Sequence, residues 1–130
     1  MSSNRISILL TSDKREQLQM AAMIASVGAV SGSEVVVFIS MNALQYFLKE
    51  GPQRAPAAGA MGEVMERKKV PPFMDLFEQA VELGDAKIFP CSMAMDVLEV
   101  DQQDLKPFVG EAMGLTKFLD DAREGQVWSF

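Results

Sequence analysis

A chain of 130 residues, 48% hydrophobic and 23% charged, has the size and composition of one globular domain and is too apolar for disorder. Its net charge of −6 works against broad nucleic-acid binding and against docking on an anionic membrane. The lack of any histidine excludes Ser–His–Asp triads, Cys–His pairs and His-based metal sites, and a single cysteine excludes an intrachain disulfide, so neither metal nor cofactor is expected.

Met1 to Asn4 carry no basic lead into an apolar signal segment, and the most apolar run, Leu18 to Val30, is too short to span a bilayer. A cytoplasmic protein with no membrane span is expected. The first predicted strand, Arg5 to Leu10, runs into Thr11-Ser12-Asp13, where Ser12 or Asp13 suits the N-cap of a helix over Lys14 to Val30. Apolar residues nearly encircle that helix. The sheet covers only one side of it, so the other side is expected to meet a second subunit. Ser31-Gly32-Ser33 stops it, and the unbroken run Val35 to Ile39 reads as a central parallel strand buried on both faces.

A short helix is expected over Ala43 to Lys49, stopped by Gly51-Pro52. Residues 51–70 then form a long connection, with a helical turn near Glu63 to Lys68; a lid, a docking segment and a disordered loop are all open readings of it. Its basic run, Arg67-Lys68-Lys69, reads as a solvated face. Pro71-Pro72 opens a further helix whose inward stripe is Phe73, Leu76, Phe77, Ala80 and Val81, and Gly84 closes it. Ala86 to Phe89 is the next strand, followed by Pro90-Cys91-Ser92 and a helical turn over Met93 to Leu98. A short helix from Asp101, a fourth strand over Leu105 to Val109, a helix over Thr116 to Arg123 and a closing strand Gln126 to Phe130 complete the chain.

Strands alternating with helices predict a single domain over 1–130: an α/β, three-layer, flavodoxin-like sandwich with a mainly parallel sheet of about five strands. In the order 2-1-3-4-5 the ligand crevice would lie between strands one and three, beyond Thr11-Ser12-Asp13 and Cys91-Ser92. Cys91 is the reactive group in that arrangement. It follows a strand and opens a helical turn, where unpaired N–H groups and the helix dipole stabilise an anion, and the thiolate is the form that attacks sulfur. The bland alternative is a buried structural cysteine. With no second cysteine, whatever Cys91 binds must leave to another molecule.

Several segments resemble the DsrE/DsrF-like family: Phe73-Met74-Asp75-Leu76-Phe77, Glu82-Leu83-Gly84, Lys87-Ile88, and above all Cys91-Ser92-Met93-Ala94-Met95-Asp96-Val97. Thr116 to Ala122 and the final strand agree with it too. The branch it resembles is the sulfur-relay group often labelled a peroxiredoxin family, although nothing here matches the Thr-x-x-Cys peroxidase loop. That resemblance implies a flavodoxin-like fold, homo-oligomers of the trimer or hexamer kind, and a cysteine carrying persulfide or thiosulfonate sulfur between TusA-like carriers and rhodaneses. By position, Cys91 becomes the sulfur acceptor of a sulfurtransferase acting as a relay. The chain departs from the family at Leu98-Glu99-Val100, where Met-Gly-Ile is common, and in lacking the further cysteine of some members.

Around Cys91, Ser12 and Asp13 suit either crevice contacts to a sulfur oxyanion or plain capping, and Asn42 has the same two readings. Ser92 and Met93 adjoin the thiol. Met93 and Met95 read first as packing, while Asp96 could cap or contact a neighbouring subunit. A different class of function stays open: a non-catalytic oligomeric ligand-binding or assembly module in which Cys91 is structural.

Overall fold

A computed structural model describes residues 4–130. Strand β1 (Arg5–Leu10) leads into α1 (Arg15–Val30), β2 (Glu34–Ile39) and a 3₁₀ segment (Met41–Phe47). Then come α2 (Ala60–Arg67), α3 (Phe73–Gly84), β3 (Lys87–Pro90) and α4 (Ser92–Leu98). A 3₁₀ turn (Gln102–Asp104), α5 (Leu115–Asp121) and β4 (Gln126–Ser129) close the fold.

The sheet is wholly parallel, in the order β3-β2-β1-β4. Residues 34–39 of β2 lie opposite 5–10 of β1 without a slip, so Ile8 faces Val37 and Leu10 faces Ile39. All four are fully buried. At roughly 1.5–3 kcal/mol per fully buried aliphatic side chain, this register is strongly specified, because a one-residue slip would turn the set outward.

Helix α1 packs on one face of β1 and β2 and lies beside α3. Its Ala21, Ala22, Ala25 and Ala29 are buried, and small residues allow the two helices close approach. Gly84 sets the limit: a Cβ there would stand 2.5 Å from the Cβ of Ala29. The other face is covered by α5, whose Phe118 stacks on Phe38 at 4.9 Å between ring centroids. The outer side of α1 exposes Met20, Met23, Val27 and Val30.

Two expectations need correction. The sheet has four strands, not about five. Leu105 to Val109 makes no strand, because Pro107 has no N–H to give and sits at the second position of a turn closed by Val109 N–H on Lys106 C=O at 3.0 Å. What remains of a fifth strand is two isolated bridges, Leu105 antiparallel to Leu48 and Met113 parallel to Cys91. The strand order is also not 2-1-3-4-5, which would leave β2 at an edge. The five buried residues of β2 are instead satisfied by a neighbour on each side, while the four-residue β3, with Lys87 exposed, takes the edge.

Candidate functional site

Cys91 is placed by backbone bonds from three directions. Its N–H donates to Ile39 C=O of β2 at 2.8 Å, which extends the β2–β3 ladder by one residue. Its C=O accepts the Met95 N–H at 3.0 Å, the first bond of α4, so Cys91 is the N-cap residue of that helix. On the open side of β3, Met113 donates to Pro90 C=O at 2.9 Å and accepts from the Ser92 N–H at 3.0 Å. Gly110 N–H binds Ile88 C=O at 2.7 Å, and a Cβ at Gly110 would lie only 3.0 Å from that same oxygen. The 110–113 segment thus needs a residue without a side chain to lie against β3 this closely.

The Cys91 side chain is 5% exposed and belongs to the hydrophobic core. Its sulfur makes no hydrogen bond among the described residues. Beyond it the first turn of α4 divides sharply: Ser92 and Met93 are exposed, while Ala94 and Met95 are buried. Asp96, Val97 and Leu98 continue the exposed side.

The other candidate residues gather at the ends of β1 and β2. Ser12 Oγ accepts the Lys14 N–H at 3.0 Å, a local turn that leads into α1, and Lys14 rather than Ser12 or Asp13 is the N-cap residue. Asp13 and Asn42 do meet: Asn42 Nδ2 donates to Asp13 Oδ2 at 3.5 Å. Tyr46, missed from the sequence, donates its hydroxyl to Asp13 C=O at 3.1 Å. Burial, and then the negative charge of Asp13, push the Tyr46 ionisation up, so it stays a donor. Cys91 lies on the same carboxyl edge of the sheet, but β2 separates β3 from β1, so the expected crevice between those two strands does not form. The order reverses between β1 and β4, and there Phe130 C=O accepts from the N–H groups of Thr11 and Ser12 at 2.8 and 3.3 Å.

Residues 51–70 are tied to α1 by a side chain that the sequence did not single out. Glu16 accepts the N–H groups of Ala58 at 2.7 Å, Gly59 at 2.8 Å and Gly62 at 3.1 Å, closing the N-terminal end of α2. The Ala58 bond is the main cause that holds its carboxyl below the usual glutamate range, partly offset by desolvation and reinforced by the other backbone bonds. No local signal marks Glu16, because its partners stand more than forty residues away. Among the described residues, no His, Cys, Asp or Glu cluster is placed to hold a metal ion, and no helix is long and apolar enough to cross a membrane.

The sequence profile of the DsrE/DsrF/DrsH-like family matches residues 52–130, more than half of the chain, including Cys91 and the elements that bracket it. The chain belongs to this family. No curated protein matches it. Among solved structures, this DsrE-like chain is similar in fold to the YchN protein of E. coli, with a TM-score of 0.65 over 100% of both chains at 14% identity. It is also similar to MTH1491 of Methanobacterium thermoautotrophicum, a protein of unknown function, with a TM-score of 0.57 at 14% identity over 95% of this chain and 96% of that one. Identity this low carries the flavodoxin-like DsrE fold and nothing finer.

Proposed function

We propose that this DsrE-like protein is a cytoplasmic sulfur carrier that accepts sulfane sulfur on Cys91 and passes it to a partner thiol. The observation that carries the reading is positional: the only cysteine of the chain is the N-cap of α4, at the end of β3, within the family-matched half. Cys91 thiolate attacks the outer sulfur of a persulfide donor; the new S–S bond leaves a Cys91 persulfide, and the donor departs as its thiolate. A thiolate on the acceptor then attacks the terminal sulfur and releases Cys91 unchanged. From tetrathionate, attack on one of the two central sulfurs breaks the central S–S bond, expels thiosulfate and leaves Cys91 carrying an –S–SO3⁻ (thiosulfonate) group. With no second cysteine to form an intramolecular disulfide, transfer ends on another molecule.

Ser92 and Met93, exposed beside the thiol, suit first contact with a donor, and the Asp13–Asn42 pair supplies polar groups on the same carboxyl edge. Ser12 takes part only through the turn that positions Asp13. TusA-like carriers and rhodaneses are the partner class that the family suggests. The exposed Met20, Met23, Val27 and Val30 of α1, and β4 with its side chains exposed, support a homo-oligomer of the trimer or hexamer kind.

The burial of Cys91 favours a second reading, an oligomeric binding or assembly module in which the cysteine is structural. Intact-protein mass spectrometry separates the two. Wild type and Cys91→Ala are incubated with polysulfide, thiosulfate or tetrathionate, while native iodoacetamide labelling reports access. A reducible sulfur or thiosulfonate adduct confined to wild type is expected. A thiol that takes no adduct and resists native alkylation establishes the structural role instead.

A further inference from the structure

The cleft between α1, residues 53–55, the end of α2 and the start of α3 measures about 170 Å³. That volume is slightly larger than the engineered cavity of roughly 150 Å³ that admits benzene. Its walls combine apolar surface, including Met65 and the buried Phe73, with three basic side chains, Arg15, Arg54 and Lys69. In a chain of net charge −6, this is a local reversal of sign. Glu66 is the only carboxylate in the lining, so three positive charges face one negative.

Glu66 shows what the two arginines fit. Arg54 Nη1 meets its Oε1 at 2.5 Å and Arg15 Nη1 approaches its Oε2 at 3.3 Å, so one carboxylate already bridges both guanidiniums. Planar carboxylates are the natural partner of the guanidinium fork. Lys69 has no acidic partner among the described residues. Its backbone is left-handed, φ 55°, at the turn that ends α2, where Val70 N–H reaches Met65 C=O and Lys69 N–H reaches Glu66 C=O, each at 3.4 Å. Glycine fits that position best. Here a lysine occupies it and lines the cleft.

The cleft is also held in shape. The Arg15 side chain is 15% exposed and donates to Gly62 C=O at 2.7 Å, its backbone N–H binds Pro56 C=O at 2.8 Å, and Glu16 fixes the start of α2. A site built from convergent cations over an apolar wall suits a ligand with both parts. We propose that this cleft binds a small organic carboxylate with a compact apolar body, of the size of an aryl or branched-chain acid. The carboxylate sits among Arg15, Arg54 and Lys69, and the apolar body lies against Phe73 and Met65. This site uses no atom of Cys91 and stands apart from the sulfur reading.

Benzoate and its neutral counterpart benzyl alcohol are titrated into the full ¹⁵N-labelled chain, with amide shifts as the readout. Saturable benzoate shifts at Lys69, Val70 and Phe73, with a dissociation constant on the order of millimolar and no such response to benzyl alcohol, are expected. The Lys69→Gly and Arg54→Gln variants, singly and together, leave the helix-end geometry and the Arg15 anchor in place. Together they weaken benzoate about tenfold, as loss of charge-assisted contacts requires. The same titration on Cys91→Ala gives the wild-type result, so loss of sulfur loading leaves this proposal unaffected. Equal response to benzyl alcohol, shifts scattered away from the cleft, no saturable response, or unaltered affinity in the double variant each overturn it.

Discussion

Residues 4–40 and the last forty-five hold their structure by different means. From β1 through α1 to β2, the elements are six, sixteen and six residues long, and β2 alone buries five consecutive side chains. From β3 onward no helix exceeds seven residues and no strand exceeds four. Short ladders place β3 and β4, and between them position depends on single bonds: backbone ones from Gly110 to Ile88 and Met113 to Pro90, and the side-chain capping box of Asp101 and Asp104. The first region is a rigid platform. The second is a set of short pieces fastened to it, and it carries Cys91 and the end of the chain that marks the family. The platform and the proposed site are therefore encoded largely in different stretches.

That contrast can be broken most forcefully where the two regions meet. Phe38→Ala removes a fully buried ring and its stack on Phe118, and should cost about 4 kcal/mol in urea unfolding. A loss near 1 kcal/mol instead would mean that α5 is held by something other than β2. Gly84→Ala tests how closely α3 seats on the platform, since its Cβ would collide with Ala29 of α1; overpacking of α1 on α3 should cost roughly 2 kcal/mol in the same assay. Cys91→Ala sharpens the comparison. The small change inside the core should cost no more than about 1 kcal/mol, yet abolish sulfur loading completely in the mass-spectrometric assay. A large stability loss with loading unchanged would reverse the assignment of roles.

The smallest expected effect concerns Glu16. Its folded-state ionisation is lowered by the three backbone bonds, so its contribution is full above the ordinary glutamate range and fades as pH falls through the folded value. Glu16→Gln should lower the urea midpoint at neutral pH, and its difference from wild type should shrink as pH falls through and below the lowered folded-state value, where the carboxylate becomes protonated in both states. A difference that persists unchanged at low pH would assign the effect to side-chain shape rather than charge.

Patterns confined to one segment were legible in the chain itself. β1 appears where its apolar run ends at Leu10, α3 where Pro72 and Gly84 bound it, and the buried character of β2 follows from five β-branched or aromatic residues in succession. The strand order was not legible, because it depends on which edges remain unpaired after folding. Yet the β2 run, once read as central, already conflicts with an order that puts it at an edge. Around the site, the placement of Cys91 between a strand and a helix was visible locally. Its bracket by Ile39 and Met113, the Tyr46–Asp13 bond and the Glu16 anchor were not, since each joins residues distant in sequence. Pro107 was a local signal against the Leu105–Val109 strand that the apolar pattern outweighed.

The pairing of β4 with β1 sets a timetable. Gln126 lies beside Ile6, 126 − 6 = 120 residues away, so β1 gains its second neighbour only after every other described element has left the ribosome. Until then the unpaired side of β1 offers a row of free N–H and C=O groups to any other extended chain. Contacts of such long sequence separation form slowly. A nascent or truncated product that stops short of Gln126 would thus expose β1 as a sticky edge strand of an otherwise assembled sheet, and cells making this protein have reason to chaperone it until β4 emerges.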